Sequence, residues 1–433
     1  NWFETGKMET PWQGKWIDPG WEDRERHPCF QKKFRINGKT IKNARLYITG
    51  LGLCEVWLNG MRVGDEYFMP GCTAYNSWIQ AYTYDIAPLL AEGENELQVL
   101  MGNGWAKGRF GTFREVQKPY TDTFSLLAEM RIAYEDGTLC TMGTDESWWV
   151  RESCIVSDGI YDGEVQDMTH EAGKPSPVTL FDASGLGQVE DRLSLPVRIR
   201  EVRKPCALLH TPKGELVLDM GQNMTGWVRM RVREPLGTKV GYECGEVLQE
   251  GSFYRENLRT AKAEFRFISD GQERIAEPHF TYFGFRYVKL EGFTEEPKLE
   301  DFEGCVVYSD LKSTGDMETG DSRVNRLFRN ALWSQKGNFL DVPTDCPQRD
   351  ERLGWTGDAQ VFCRTASYNM DCYAFYRKYL HDVYAEQRSN NGMVGSFVPS
   401  FMEPNKGVSG FMKGGSTVWG DCAGIIPWTL YLR

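Results

Sequence analysis

The sequence predicts a multidomain chain, with two antiparallel β-sandwich or jelly-roll domains followed by an all-α domain. Three observations carry this reading. The 433 residues exceed what one ordinary hydrophobic core encloses. Up to about residue 310, apolar and polar residues alternate in short runs with no helical pattern between them. Near Gly315 the apolar period lengthens from two residues to about 3.6.

The first domain is expected over residues 1–175. FQKKFRI, ARLYITGLGLCEVWLNG, AYTYDI, NELQVLMGNGW and SLLAEMRIAYEDGTL read as strands. Asn59-Gly60 and Asp136-Gly137 supply the positive φ that tight hairpin turns require. The stretch GKPSPVTLFDASGLG then marks a boundary near 175–195, and a second sandwich domain is expected over 176–310. Its strands lie in ELVLDMGQNMTGWVRMRVREPLGTKVGYECGEVL, AEFRFISDG and FRYVKLEGF.

Residues 311–433 read as helical. Val324, Leu327, Phe328, Ala331 and Leu332 share one helix face, with Asp321 or Ser322 placed as the cap. Cys372, Phe375, Tyr376, Tyr379, Leu380 and Val383 form a second stripe that stops at Asn391-Gly392. A shorter helix is expected from Asp358 through AQVFCRTASYN, with Asp358 a candidate N-cap.

Composition narrows the function classes. A formal charge of −11 and the lack of a basic run argue against nucleic acid or an anionic membrane as partner. No stretch is long and apolar enough to span a bilayer, and the first residues, NWFETGKMETPW, do not read as a signal peptide. The twelve cysteines are scattered without a C-x-x-C pair, which disfavours structural zinc and fits buried free thiols in a reducing compartment. A cytoplasmic location is therefore expected, and no cofactor or metal is assigned. The 14 Trp and 19 Tyr fit sandwich cores, and some could stack on sugar rings.

The chemistry concentrates in DVPTDCPQRDERLGWTGDAQ, residues 341–360, between two helical stretches. Pro343, Pro347, Gly354 and Gly357 prevent a continuous helix there, leaving a loop displayed by a scaffold. Asp345, Asp350, Glu351 and Asp358 are candidate carboxyls, because glycoside cleavage needs one to protonate the leaving oxygen and another to activate water or attack. Arg349 and Arg352 could hold acids ionised or bind hydroxyls, and Trp355 offers an apolar ring. Asp341 and Arg352 read more readily as surface or salt-bridge residues. Cys346 reads as a buried thiol, since no histidine lies near it in sequence. From the residues alone this is an acidic site on a helical domain, with a divalent-metal site left open.

The same stretch closely resembles the signature of bacterial α-L-rhamnosidases of glycoside hydrolase family 78. ARLYITGLGLCEVWLNGMRVGDEYFMPGCTAY, IYDGEVQD, EPHFTYFGFRYVKLEGF and STVWGDCAGIIPWTLY resemble further segments of that family. The resemblance implies that the helical part is the N-terminal portion of an (α/α)6 barrel and that terminal α-L-rhamnose is removed with inversion. It implies Glu351 as general acid, with Asp350 the alternative. Asp345, Arg349, Trp355, Asp358, Trp419 and Asp421 would bind the sugar. The implied partners are rhamnose-containing glycosides or oligosaccharides, and a homo-oligomer is left open. Glu55, Asn59, Asn103 and Trp105 fall where some relatives bind sugar with calcium, although turn and core roles account for them better. The alternative function is a rhamnose-binding protein without catalysis.

The family's general base lies on a later part of the barrel. Twelve helices with short connections need about 180 residues, against roughly 120 from Leu311 to Arg433. The expectation is a chain truncated within the barrel, inactive alone, whose uncovered helix faces make it associate or fold incompletely.

Overall fold

The computed structural model describes residues 6–8, 10–111, 116–401 and 416–433. The chain forms two compact units. The first comprises Asn1–Gly108, Lys118–Gly159 and His170–Arg192; the second comprises Arg109–Gln117, Ile160–Thr169 and Leu193–Arg433.

The first unit is a sandwich of two sheets. One sheet runs, in hydrogen-bonded order, through Thr179–Leu180, Ile17–Asp18, Ser125–Tyr134, Ile41–Leu51, Trp78–Asp85 and Gln188–Asp191. The other runs through Ser176–Pro177, Trp149–Glu152, Pro28–Ile36, Gly93–Gly102, Leu53–Leu58 and Met61–Arg62. Alternating side chains from both sheets meet in one core, with Leu46, Ile48, Leu126 and Met130 from the first and Phe30, Val56, Leu97 and Val99 from the second.

The expected boundary at 175 is not where the units divide. Residues 176–192 stay with the first unit, because Ser176 pairs with Val150, Thr179 with Asp18, and Gln188–Asp191 with Trp78–Ala81. Conversely, Gly163–Asp167 pairs in parallel with Glu264–Ile268 of the second unit. Local turn signals do not report such long-range pairing.

In the second unit, Gly163–Asp167, Glu264–Ile268, Lys239–Gly245, Phe283–Glu291, Leu216–Val232, Phe302–Ser309 and Val197–Arg203 follow one another in a continuous sheet. The long strand Leu216–Val232 is interrupted by a register shift between Asp219 and Met224. Among the described residues four helices follow: α1 (Ser322–Asn338), α2 (Thr356–Asn369), α3 (Tyr373–Ser389) and α4 (Cys422–Tyr431).

Asp321 caps α1, accepting a hydrogen bond from the Arg323 backbone N–H at 2.8 Å. The stripe on α3 is buried as its spacing requires: Cys372, Phe375, Tyr376, Tyr379 and Val383 join Phe339, Ala359, Cys363 and Ile426 in one core. The apolar face expected on α1 is different, since Val324 is 40% and Leu327 69% exposed. Only Gln335 and Gly337 of that helix are buried, so periodicity located the helix but not the face it covers. Helix α2 begins at Thr356 with Trp355 at the N-cap, which puts Asp358 in the first turn instead of the cap position.

Candidate active site

The acidic loop lies within the second unit, between α1 and α2. It leaves the helix through the short hairpin Phe339–Leu340 with Val342–Pro343 and crosses the sheet at Gly284. A Cβ at Gly284 would meet Pro347 Cγ at 2.8 Å and Gln348 Cβ at 2.9 Å, so this close crossing requires glycine.

Glu351 and Arg352 both have positive φ, 124° and 37°, a conformation L side chains rarely adopt. The surrounding groups fix this backbone. The Tyr161 hydroxyl donates to the Glu351 carbonyl, and Arg352 Nη1 donates to the Tyr282 carbonyl at 2.7 Å. The Arg352 guanidinium also lies 5.1 Å from the centroids of both the Tyr161 and Tyr282 rings. Arg352 is thus a buried clamp, not the surface or salt-bridge residue expected. Asp341 is a salt-bridge residue, but a buried one, held by Lys378 Nζ at 3.1 Å, which also meets Asp382 at 3.3 Å.

The two neighbouring acids have different surroundings. Asp350 is buried, and both its carboxylate oxygens are taken, Oδ1 by Arg259 Nε at 2.6 Å and Oδ2 by the Thr260 hydroxyl at 2.9 Å. Glu351 is less enclosed. Arg259 Nη2 and Arg349 Nη2 approach its Oε2 at 2.8 and 3.0 Å, while Oε1 makes no hydrogen bond among the described residues.

Asp345 sits beside Glu351, with a carboxylate oxygen of each and the Cys346 sulfur all within 4.8 Å of one another. Among the described residues this is the one grouping with metal-ligand spacing, but two arginines already neutralise Glu351. Burial pushes the Asp345 carboxyl up to about 6, opposed by hydrogen bonds from Cys346 and the Leu353 N–H and reinforced by the charge of Glu351. Desolvation likewise pushes the Cys346 thiol up to about 12, leaving it protonated and unreactive at neutral pH. Asp358 is raised as well, by desolvation first and by the charge of Glu351.

Two cavities meet at Asp345. The smaller, about 460 Å³, is lined by Asp345, Asp358, Phe362, Tyr376 and Trp419 among others. The larger, about 590 Å³, is lined by Asp345 and Arg349 together with α1 and the sheet.

The structure therefore brings Glu351, Asp345, Arg349, Asp358 and Trp419 together. Trp355 and Asp421 line neither cavity; Glu351 does not line them itself and borders them through Asp345. The Trp355 indole packs edge-on against Phe397 at 5.4 Å, and the aromatic wall is Trp419, whose indole lies 2.8 Å from where a Cβ on Gly357 would stand. Asp421 Oδ2 accepts from the Val418 N–H at 3.1 Å and so braces the turn that carries Trp419. Arg259, Thr260 and Tyr161 were missed by sequence reasoning. They lie 90 or more positions from the loop residues they bond, and no local pattern marks them.

In the first unit, Asn59 spends its side chain on the Leu89 carbonyl, Asn95 and the Glu96 N–H, as a turn residue does. Asn103 is bonded to Asp158 and Lys107, Trp105 is buried against Phe68, and Glu55 is buried beside Arg62.

Three family descriptions match the chain in succession. They are the α-L-rhamnosidase N-terminal domain over residues 39–216, the bacterial α-L-rhamnosidase concanavalin-like domain over 209–308, and the bacterial α-L-rhamnosidase six-hairpin glycosidase domain over 312–433. An α-L-rhamnosidase from Streptomyces avermitilis is 39% identical over 412 residues, covering 92% of this chain and 39% of the relative. The crystal structure of an Aspergillus terreus α-L-rhamnosidase superposes with a TM-score of 0.89 at 33% identity, over 97% of this chain and 50% of that one. The structure of a Streptomyces avermitilis α-L-rhamnosidase complexed with L-rhamnose superposes at 0.87, with 35% identity, over 94% and 40%. The chain spans 39 to 48% of the length of the curated relatives it matches. On this agreement of sequence and fold, the chain belongs to the bacterial α-L-rhamnosidase family, glycoside hydrolase family 78.

Proposed function

We propose that this chain carries the acid half of a site that hydrolyses terminal α-L-rhamnosides, with Glu351 protonating the leaving oxygen. The observation that carries the assignment is the division of labour at 350–351. Asp350 is consumed by Arg259 and Thr260, whereas Glu351 keeps Oε1 uncommitted beside the cavity junction at Asp345.

In this reading the rhamnose ring occupies the smaller cavity. Asp345 and Asp358 accept hydrogen bonds from its hydroxyls, Trp419 packs on its apolar face, and Arg349 orients Glu351. Trp355 and Asp421 act through their neighbours. An inverting reaction also needs a base carboxylate about 6.5–9.5 Å from the acid, with room for water between. We assign that base to no residue of these 433.

The test is release of L-rhamnose from a rhamnosyl-glucose disaccharide, whose sugar leaving group needs a proton, by any longer protein that contains this chain, with and without Glu351→Gln. We expect kcat to fall at least about 100-fold, the order a positioned general acid contributes. Unimpaired turnover would refute the acid assignment. Binding of L-rhamnose with no turnover in any form would favour a sugar-binding protein.

A further inference from the structure

We infer that Arg259 is a positioning residue for the acid: it fixes one carboxyl oxygen of Glu351 and so aims the other, with its proton, at the departing oxygen. The inference rests on the reading of Glu351 as general acid.

The Arg259 guanidinium reaches both neighbouring acids at once. Its Nε donates to Asp350 Oδ1 at 2.6 Å, and its Nη2 donates to the Asp350 carbonyl and, at 2.8 Å, to Glu351 Oε2. One planar fork thereby fixes the peptide at 350–351 together with both carboxylates, a geometry that a single ammonium does not offer. Arg349 Nη2 closes on the same Oε2 at 3.0 Å, while Oε1 makes no hydrogen bond among the described residues. Guanidinium N–H groups can only donate, so the lone pairs of Oε2 are engaged and the proton of the acid form belongs on Oε1.

The backbone is strained at both ends of this contact. Arg259 has φ 58° and ψ −110°, and Glu351 has φ 124°, conformations that non-glycine residues keep only where their surroundings hold them. Arg259 follows the short turn Glu256–Leu258, which is anchored by the buried Leu258 and Ala261. A second row of bonds holds its partner. The Thr260 hydroxyl donates to Asp350 Oδ2 at 2.9 Å and accepts from Arg109 Nη1 at 3.0 Å, and Arg109 Nη2 meets Asp162 at 2.8 Å. Asp350 lines neither cavity, so its role in this arrangement is to hold Arg259 in register with Glu351.

Two variants in a longer protein containing this chain test the inference. Arg259→Lys keeps the charge but offers one ammonium, and Asp350→Asn releases the guanidinium at nearly constant shape. Both should keep their affinity for L-rhamnose in titration calorimetry, since neither residue lines the smaller cavity, and this also reports that the variant is folded. Each should lower kcat about tenfold on a rhamnosyl-glucose disaccharide with KM little changed, and lower it less on p-nitrophenyl α-L-rhamnoside, whose leaving group departs with little protonation. Adding Arg259→Lys to Glu351→Gln should cost nothing further on the disaccharide, because the carboxyl it acts through is already gone. Unchanged kcat in Arg259→Lys, equal losses on the two substrates, or loss of L-rhamnose affinity in both variants would overturn the inference. Undiminished turnover of the disaccharide by Glu351→Gln alone would refute the acid reading and the inference with it, whereas a large loss there with losses that multiply in the double variant would refute the inference only.

Discussion

Asp345 shows how burial sets chemistry at a single residue. Its carboxyl is raised to about 6, mainly by desolvation, so the folded protein holds that proton more tightly than the unfolded chain. The associated stability is fully present below about pH 4 and is lost as pH rises through 6, a change of about 2–3 kcal/mol. Asp345→Asn should therefore flatten the fall in stability between pH 4 and 7, as measured by urea denaturation at each pH. A parallel dependence in both proteins would contradict the assignment. The neighbouring acids separate by a different assay. Arg259→Ala leaves Asp350 buried without its ion partner and should cost about 2–4 kcal/mol of stability, whereas Glu351→Gln should cost activity and little stability. At this scale the sequence was informative about which residue types gather in the loop. It did not show that Asp350 is consumed, because the consuming groups, Arg259 and Thr260, come from another part of the fold.

Among the elements, helix α2 connects fold to site most directly. Its N-terminal turn carries Gly357, and the bare Cα allows the Trp419 indole to lie against it. Gly357→Ala should favour the helix by up to about 1 kcal/mol but displace Trp419, weakening L-rhamnose binding about tenfold. Unchanged affinity would show that Trp419 does not contact the sugar. Helix α3 is tied to the loop by a buried triad, with Lys378 between Asp341 and Asp382, each about 1% exposed or less. Lys378→Met leaves two buried carboxylates uncompensated and should destabilise the unit by about 3–5 kcal/mol in chemical denaturation. The helices were legible from period alone because α3 buries a continuous stripe. The exposed face of α1 was not, since period says that a face is apolar and not what covers it.

For the whole chain, the sequence disclosed the order of β-rich and helical parts, and motif resemblance identified the family. It did not disclose how the chain is partitioned, because residues 109–117 and 160–169 belong with the second unit and 176–192 with the first. Strand pairing across more than a hundred positions decides this, and no local signal encodes it. Exposed apolar side chains, Leu327 at 69%, Trp428 at 61% and Tyr431 at 79%, make concentration-dependent association of these 433 residues the expected outcome in sedimentation velocity. A monodisperse monomer at high concentration would contradict it.

In the proposed reaction Glu351 donates a proton to the departing oxygen. The most direct measurement compares the loss of kcat/KM in Glu351→Gln for two rhamnosides in a longer protein containing this chain, one with p-nitrophenol and one with a sugar as leaving group. Nitrophenolate departs with little help, whereas a sugar alkoxide needs the proton. The expected loss is at least about tenfold larger for the sugar leaving group. Equal losses on the two substrates would contradict it.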